Sequence, residues 1–205
     1  MSEPLEEKFI YRMIMKKVGA AKFISHLDLL DILKSAVSCV GIPVYYSKGF
    51  NPTMKINYPH PLPVGVSGQN EIFDLILTKK LPALDMLRSI NNYLMDGIRI
   101  IEIRQVEKKS LIVGGQNVRV RFIMTLLELD DGDLKPEDVP YLLSEVLNSD
   151  IVDDIDVKYY MRGIVRISFK LGINSKLKPQ KILSGLVILD GRVYRIATVT
   201  RFGFV

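Results

Sequence analysis

Hydrophobic residues gather in short blocks along this chain, and the spacing within each block predicts its structure. Residues 9–18 are mostly apolar and read as a strand. Over 26–40 the spacing becomes helical: Leu29, Leu30, Leu33, Ala36, Val37 and Val40 fall on one stripe, with Asp28, Asp31, Lys34, Ser35 and Ser38 toward the other side. Ser25 stands just ahead of that stripe with Asp28 three positions on, close to a capping box, so its side chain can accept from a free backbone N–H of the first turn. A short extended piece at 43–46 and strands at 55–58 and 71–78 follow. In the last of these, Ile72, Phe73, Leu75 and Leu77 make the mostly apolar run of a buried strand. A second helix is expected from Pro82, a residue suited to the first turn, through Leu84, Leu87, Ile90 and Leu94 to a terminal glycine at Gly97. Residues 98–106 close the set as a strand.

The order is β-α-β-β-α-β, the ferredoxin-like or split βαβ arrangement, in which two helices cover one face of an antiparallel sheet. The second half repeats this pattern without an obvious sequence repeat. It predicts a strand at 118–129, a helix at 135–147 entered through Asp131-Gly132-Asp133, and a hairpin of 156–160 and 164–171 around Arg162-Gly163. A short helix at 179–186 and a strand at 192–202 after Asp190-Gly191 complete it. Residues 109–117, with Gly114-Gly115, read as a linker. The expectation is an α+β protein of tandem ferredoxin-like (βαββαβ) domains with antiparallel sheets, at 1–108 and 118–205.

Composition narrows the class. With 205 residues, 48% hydrophobic and 25% charged, the chain can bury a substantial core, which argues against disorder. The acidic first residues lack an apolar core region and the apolar runs are short, so neither a signal peptide nor a membrane span is expected. A lone cysteine, Cys39, allows no internal disulfide and suits a reducing, cytoplasmic setting; set in an apolar helical pattern, it reads as buried and inert. Two histidines and one cysteine fall short of the ligand sets of zinc or iron–sulfur sites, so no metal or other cofactor is expected on this chain. No glycine motif has the spacing and lysine of a phosphate-binding loop.

Charge is segregated more than it is excessive. The net charge is +5 and the isoelectric point about 9.2. From 128 to 156 eleven acidic residues face one base, and from 157 to 205 ten Lys or Arg face one acid. In the basic half Lys158 and Tyr160 alternate on one predicted strand, and Arg166, Ser168 and Lys170 on the next, as do Arg119 and Arg121 earlier. Such alternation can set cations and hydroxyls on an open sheet face, where ferredoxin-like sheets hold single-stranded RNA. It is equally the pattern of solvated outward positions in any antiparallel sheet.

The other concentration of chemistry is irregular. Lys22, His26, Lys48, Lys55 and His60 fall in one stretch punctuated by Gly49, Pro52, Pro59, Pro61, Pro63 and Gly65, and a loop of that composition costs conformational entropy to order. Phe50 and Tyr45-Tyr46 are candidate base-stacking groups, but an aromatic after a turn glycine reads first as a small plug into the core. Asp28 and Asp31 read as structure, the former as part of the cap.

Four motifs in this stretch carry a resemblance: Lys22-Phe23-Ile24-Ser25-His26-Leu27-Asp28-Leu29, Tyr46-Ser47-Lys48-Gly49-Phe50-Asn51-Pro52, Lys55-Ile56 and Pro61-Leu62-Pro63-Val64-Gly65. Together they closely resemble the radical-SAM-linked proteins, the domain of unknown function 2344. Leu177-Lys178-Pro179 extends the likeness more weakly. Family members usually follow the Asn-Pro with a second histidine; here Thr53 and Met54 stand there, and His60 is no obvious replacement. The resemblance implies a partner, a radical SAM protein encoded nearby. This chain lacks the three-cysteine cluster motif of such an enzyme and would be the companion, not the catalyst.

Three functions are compatible with these residues. The first is a non-catalytic module that binds or presents an RNA, tRNA or rRNA, through Lys22, Lys48, Phe50, Lys55, Arg119, Arg121, Lys158, Arg166 and Lys170. The second is a metal-independent endoribonuclease, suggested by a loose likeness to the repeat-processing enzymes of CRISPR systems, with His26, Lys22 and Lys48 as base, acid and phosphate-stabilising cation. Against it, a helix N-terminus disfavours an imidazolium at His26. The third is a protein–protein adaptor whose acidic 128–156 surface and proline-rich loop dock a partner.

Overall fold

The computed structural model describes residues 7–107, 119–129, 152–160, 163–172, 186–189 and 192–204. Its elements are β1 (Phe9–Lys17), a 3-10 turn (Gly19–Phe23), α1 (His26–Val40), β2 (Ile56–Asn57), β3 (Ser67–Leu77), α2 (Ala83–Asn91) and β4 (Ile98–Val106). Then come β5 (Arg119–Glu128), β6 (Val152–Tyr160), β7 (Ile164–Gly172), β8 (Leu186–Leu189) and β9 (Arg192–Phe204). The fold is mixed α and β, with mostly antiparallel strand pairing and few helices. It divides into two compact units, 1–61 with 70–114, and 62–69 with 115–205. No helix among the described residues is long and apolar enough to cross a membrane.

In the first unit the strands lie in the order β4-β1-β3-β2, with β1 antiparallel to β4 and β2 antiparallel to β3. Side chains alternate across each strand, so Tyr11, Met13 and Met15 of β1 and Phe73, Leu75 and Leu77 of β3 turn inward. They form one core with Leu29, Leu33, Ala36 and Val37 of α1 and Met86 and Ile90 of α2. Helix α1 begins where its cap predicts: Ser25 Oγ accepts from the Asp28 N–H at 3.2 Å and lies 2.6 Å from Asp28 Oδ2. It ends at Gly41, whose φ of 72° is left-handed.

Several expectations are corrected here. Cys39 is exposed, because it lies off the stripe made by Leu29, Leu33, Ala36 and Val37. Helix α2 stops at Asn91 and buries Met86 and Ile90, leaving Leu84 exposed. The Asn91 side chain bonds both the N–H and the carbonyl of Ile100, at 2.9 and 2.8 Å, and so ties the end of the helix to β4. Gly97 therefore does not cap the helix. It turns the chain into β4 at φ 86°, where an added Cβ would lie 2.5 Å from the Val18 carbonyl oxygen.

In the second unit the order is β9-β5-β7-β6, every neighbouring pair antiparallel, and β8 pairs with β9. Val120, Phe122, Met124 and Leu126 of β5 and Val165, Ile167, Phe169 and Leu171 of β7 make its core, and Leu62 and Val66 join them. The proline-rich segment thus ends as core of this unit. Strand β3 starts at Ser67, four residues before the expected 71, because Ser67 and Gly68 pair in parallel with Thr200 and Arg201 of β9. That partner lies far along the sequence and leaves no local signature. The expected helix at 135–147 and the linker at 109–117 lie outside the described residues. So does the expected helix at 179–186, except for Leu186, which opens the unforeseen strand β8.

Candidate functional site

The Lys48-to-Pro52 stretch is the tip of a hairpin. Tyr46 pairs with Met54, and the Lys55 N–H donates to the Tyr45 carbonyl at 3.1 Å. Ser47 and Thr53 then clamp the tip: the Ser47 N–H donates to the Thr53 carbonyl at 2.8 Å, the Thr53 N–H to Ser47 Oγ at 2.9 Å, and the two hydroxyls lie 3.1 Å apart. Beyond the clamp Lys48, Gly49, Phe50, Asn51 and Pro52 are exposed, Gly49 at φ 139°. Phe50 is 106% exposed, so it is not the core plug that its place after a glycine suggested. The clamp closes the tip, and the residues beyond it face solvent. Lys55 is exposed as well, whereas Tyr45 is half-buried with the Lys8 ammonium 3.7 Å from its ring centroid.

Lys22 and His26 stand on the 3-10 turn and at the start of α1. Lys22 lies in the last turn of the 3-10 element, its ammonium 5.0 Å from the ring of Phe23, and both Phe23 and Leu27 are exposed. His26 opens α1 and packs edge-on against Tyr58, with ring centroids 5.3 Å apart. Its Nδ1 is buried without a hydrogen-bond partner among the described residues. Burial first, and the charge of Lys17 second, hold its pKa below the ordinary 6.5, so the ring is neutral at physiological pH.

Beneath this helix start lies a polar group of residues that the sequence reading did not single out. Lys17 is fully buried and donates through Nζ to the Ile24 carbonyl at 2.6 Å, just ahead of the Ser25 cap. Tyr58 donates to Oε2 of the fully buried Glu71 at 2.9 Å. On the opposite face of the sheet, the buried carboxylate of Asp74 receives a bidentate pair from Arg12 at 2.9 and 3.2 Å. The signal was present: Lys17 continues the inward alternation Tyr11, Met13, Met15, and Glu71 opens the alternation Phe73, Leu75, Leu77. A charge at an inward strand position must be paired or hydrogen-bonded, which here positions the turn that carries Lys22 and His26.

The basic residues of the second unit do come together. The β5–β7 register sets Arg121 opposite Lys170, Ile123 opposite Ser168 and Thr125 opposite Arg166. The β6–β7 register continues these rows to Asp153, Asp156 and Lys158. Directly opposed residues share a face, so Arg121, Thr125, Lys158, Arg166, Ser168 and Lys170 line one side of the sheet, and Arg119 joins them two residues from Arg121. Arg166 lies over the Tyr160 ring at 5.2 Å. The face is less cationic than its Lys and Arg suggest, because Arg119 pairs with Asp153, Lys158 with Asp156 at 3.3 Å and Lys170 with Asp154. The hydrogen bond from Lys170, then its charge and those of Arg121 and Arg119, hold the Asp154 pKa below the usual carboxylate value. Arg121 and Arg166 make no ion pair among the described residues.

A family model matches residues 11–153, well over half the chain, and it is described as an uncharacterised protein conserved in bacteria, domain of unknown function 2344. The chain belongs to this family. Within this member of family 2344 the match takes in the His26 helix, the Phe50 hairpin and β5 with Arg119 and Arg121. It stops in β6, before Lys158, Arg166 and Lys170. No curated protein matches the chain. Among the described residues of this family member, no three or more His, Cys, Asp or Glu side chains are grouped to hold a metal ion.

Proposed function

We propose that this chain is a non-catalytic companion of a radical SAM protein and that it holds an RNA, a tRNA or rRNA, for that partner. The observation that carries the RNA part is the shared face of β5, β7 and β6, where five cations stand among the hydroxyls of Thr125, Ser168 and Tyr160. Cations spaced by strand pairing suit a chain of phosphates, and Tyr160 under Arg166 offers a ring for a base. The carboxylates of Asp153, Asp154 and Asp156 would oppose a loosely held polyanion, which favours a strand laid in one register over indiscriminate binding.

The same reading takes both units as ferredoxin-like. In its support, the first has the element order β-α-β-β-α-β, and both place the first and third strands centrally, as β4-β1-β3-β2 and β9-β5-β7-β6. The endoribonuclease reading draws less support, since the imidazole it needs is desolvated and packed on Tyr58. The partner rests on the resemblance of the Lys22-to-Gly65 motifs to radical-SAM-linked proteins.

Filter binding of tRNA and an unrelated RNA across a salt series tests the RNA part. Binding should weaken with log salt at a slope of about −0.7 per phosphate neutralised on a single strand. Absence of binding at low salt refutes it. Co-purification with a radical SAM protein encoded nearby, tested with and without nuclease, tests the companion part: no association under either condition refutes that.

A further inference from the structure

The clamped hairpin tip is the feature that neither the core nor the sheet face explains. We propose that Phe50 is a stacking finger for an unpaired base of the RNA, with Lys48 beside it to meet the adjoining phosphate. This rests on the RNA-holding reading above and adds a second contact, in the first unit, with a defined chemistry.

The ring of Phe50 is as open to water as in an unfolded chain, at 106% of the reference exposure, so both of its faces are available. Yet the residues on either side are held in place. Ser47 and Thr53 close the tip with a backbone bond and a side-chain bond, and Tyr46 pairs with Met54 behind them. An ordered segment that presents a large apolar ring to solvent gains nothing from that ring in the folded monomer. A ligand that covers the ring would recover that loss.

The surroundings of the ring favour a base over a protein pocket. Protein anchors sit inside a patch whose neighbours exclude water around them. Here the exposed neighbours are Lys48, Gly49, Asn51, Pro52 and Thr53, with Lys55 two residues further on, so the ring has a cationic and polar rim. Base stacking needs only a flat face, and a nearby cation for the backbone completes the site. Phenylalanine carries no hydrogen-bonding group, so this contact would be tolerant of which base it meets.

The probe is a single-stranded RNA oligonucleotide carrying 2-aminopurine, titrated with the full chain at low salt. Stacking on Phe50 should quench the fluorophore. Phe50→Ala should abolish the quench and weaken single-strand binding by about 5- to 150-fold, the range that one base–aromatic stack spans. Phe50→Trp should keep both, and a blunt RNA duplex should show no difference between wild type and Phe50→Ala. If Phe50→Ala binds and quenches like the wild type, the finger is refuted and the RNA-holding reading stands on the sheet face. If the wild type binds no RNA at all, both fall. If Phe50→Ala leaves RNA binding intact but loses association with a purified radical SAM partner, the tip is a protein anchor and the base-stacking role is wrong.

Discussion

Removing one hydroxyl from the first unit probes the buried polar group directly. Tyr58 is 7% exposed, and its phenol donates at 2.9 Å to Glu71, which has no exposure at all. Tyr58→Phe keeps the ring, and with it the packing against His26 and Phe73, but takes a donor from a carboxylate out of reach of bulk water. Leaving a buried acceptor without its donor costs about 1–3 kcal/mol, so the variant should lose about 2 kcal/mol. For a chain of this size that is a fall of about 4–8 °C in Tm. Urea unfolding followed by circular dichroism reads the loss as a lower midpoint at unchanged slope. Tyr46→Phe, on an exposed tyrosine, is the control and should stay within about 0.5 kcal/mol of wild type. A double-mutant cycle with Glu71→Leu, which leaves the phenol no acceptor there, should show strong coupling between the two sites. A Tyr58→Phe loss no larger than that of the control, or strict additivity with Glu71→Leu, would show that the phenol and carboxylate do not stabilise each other.

Three further outcomes are expected. Because burial and Lys17 depress the His26 pKa, the unfolded chain takes up the proton more readily; the contribution of His26 is complete above pH 6.5 and is lost as pH falls through the depressed folded value. Urea midpoints from about pH 7.5 to about pH 5 should therefore fall less steeply for His26→Gln, and an NMR titration of Lys17→Met should move His26 back toward its ordinary pKa. Gly97→Ala should destabilise by at least about 1 kcal/mol, since it adds a Cβ 2.5 Å from the Val18 carbonyl oxygen at a φ of 86°; a neutral melting curve would contradict the turn geometry. Arg166→Ala should weaken RNA binding and make its salt slope shallower by about 0.7, and an unchanged slope would remove Arg166 from the phosphate path.

Features encoded in local spacing were legible from the amino acids alone. The α1 limits follow from Ser25, Asp28 and the Leu29-to-Val37 stripe, because a cap and a 3.6-residue period are written within a few neighbouring positions. The gathering of Lys158, Arg166 and Lys170 on one face follows in the same way from period-two alternation, whatever the sheet packs against. The ion pairs that temper that face were not legible, because the bulge between Asp153 and Asp156 re-aims the carboxylates.

Other features were decided by contacts that local spacing does not show. Phe50 stays in solvent at the tip of a hairpin that Ser47 and Thr53 close between them. Leu62, inside the last of the four motifs, and Val66, just after it, pack in the second unit, because apolar burial depends on which strands surround a segment and not on its neighbours in sequence. Lys17 and Glu71 carried a readable warning, a charge at an inward strand position, but their partners Ile24 and Tyr58 come from other turns of the chain. Period and capping are properties of a few consecutive residues, which made α1 and the shared face of β5, β6 and β7 legible but not strand β8 or the end of α2. Which polar groups are satisfied and which rings stay bare depends on contacts that form only when the chain folds back on itself.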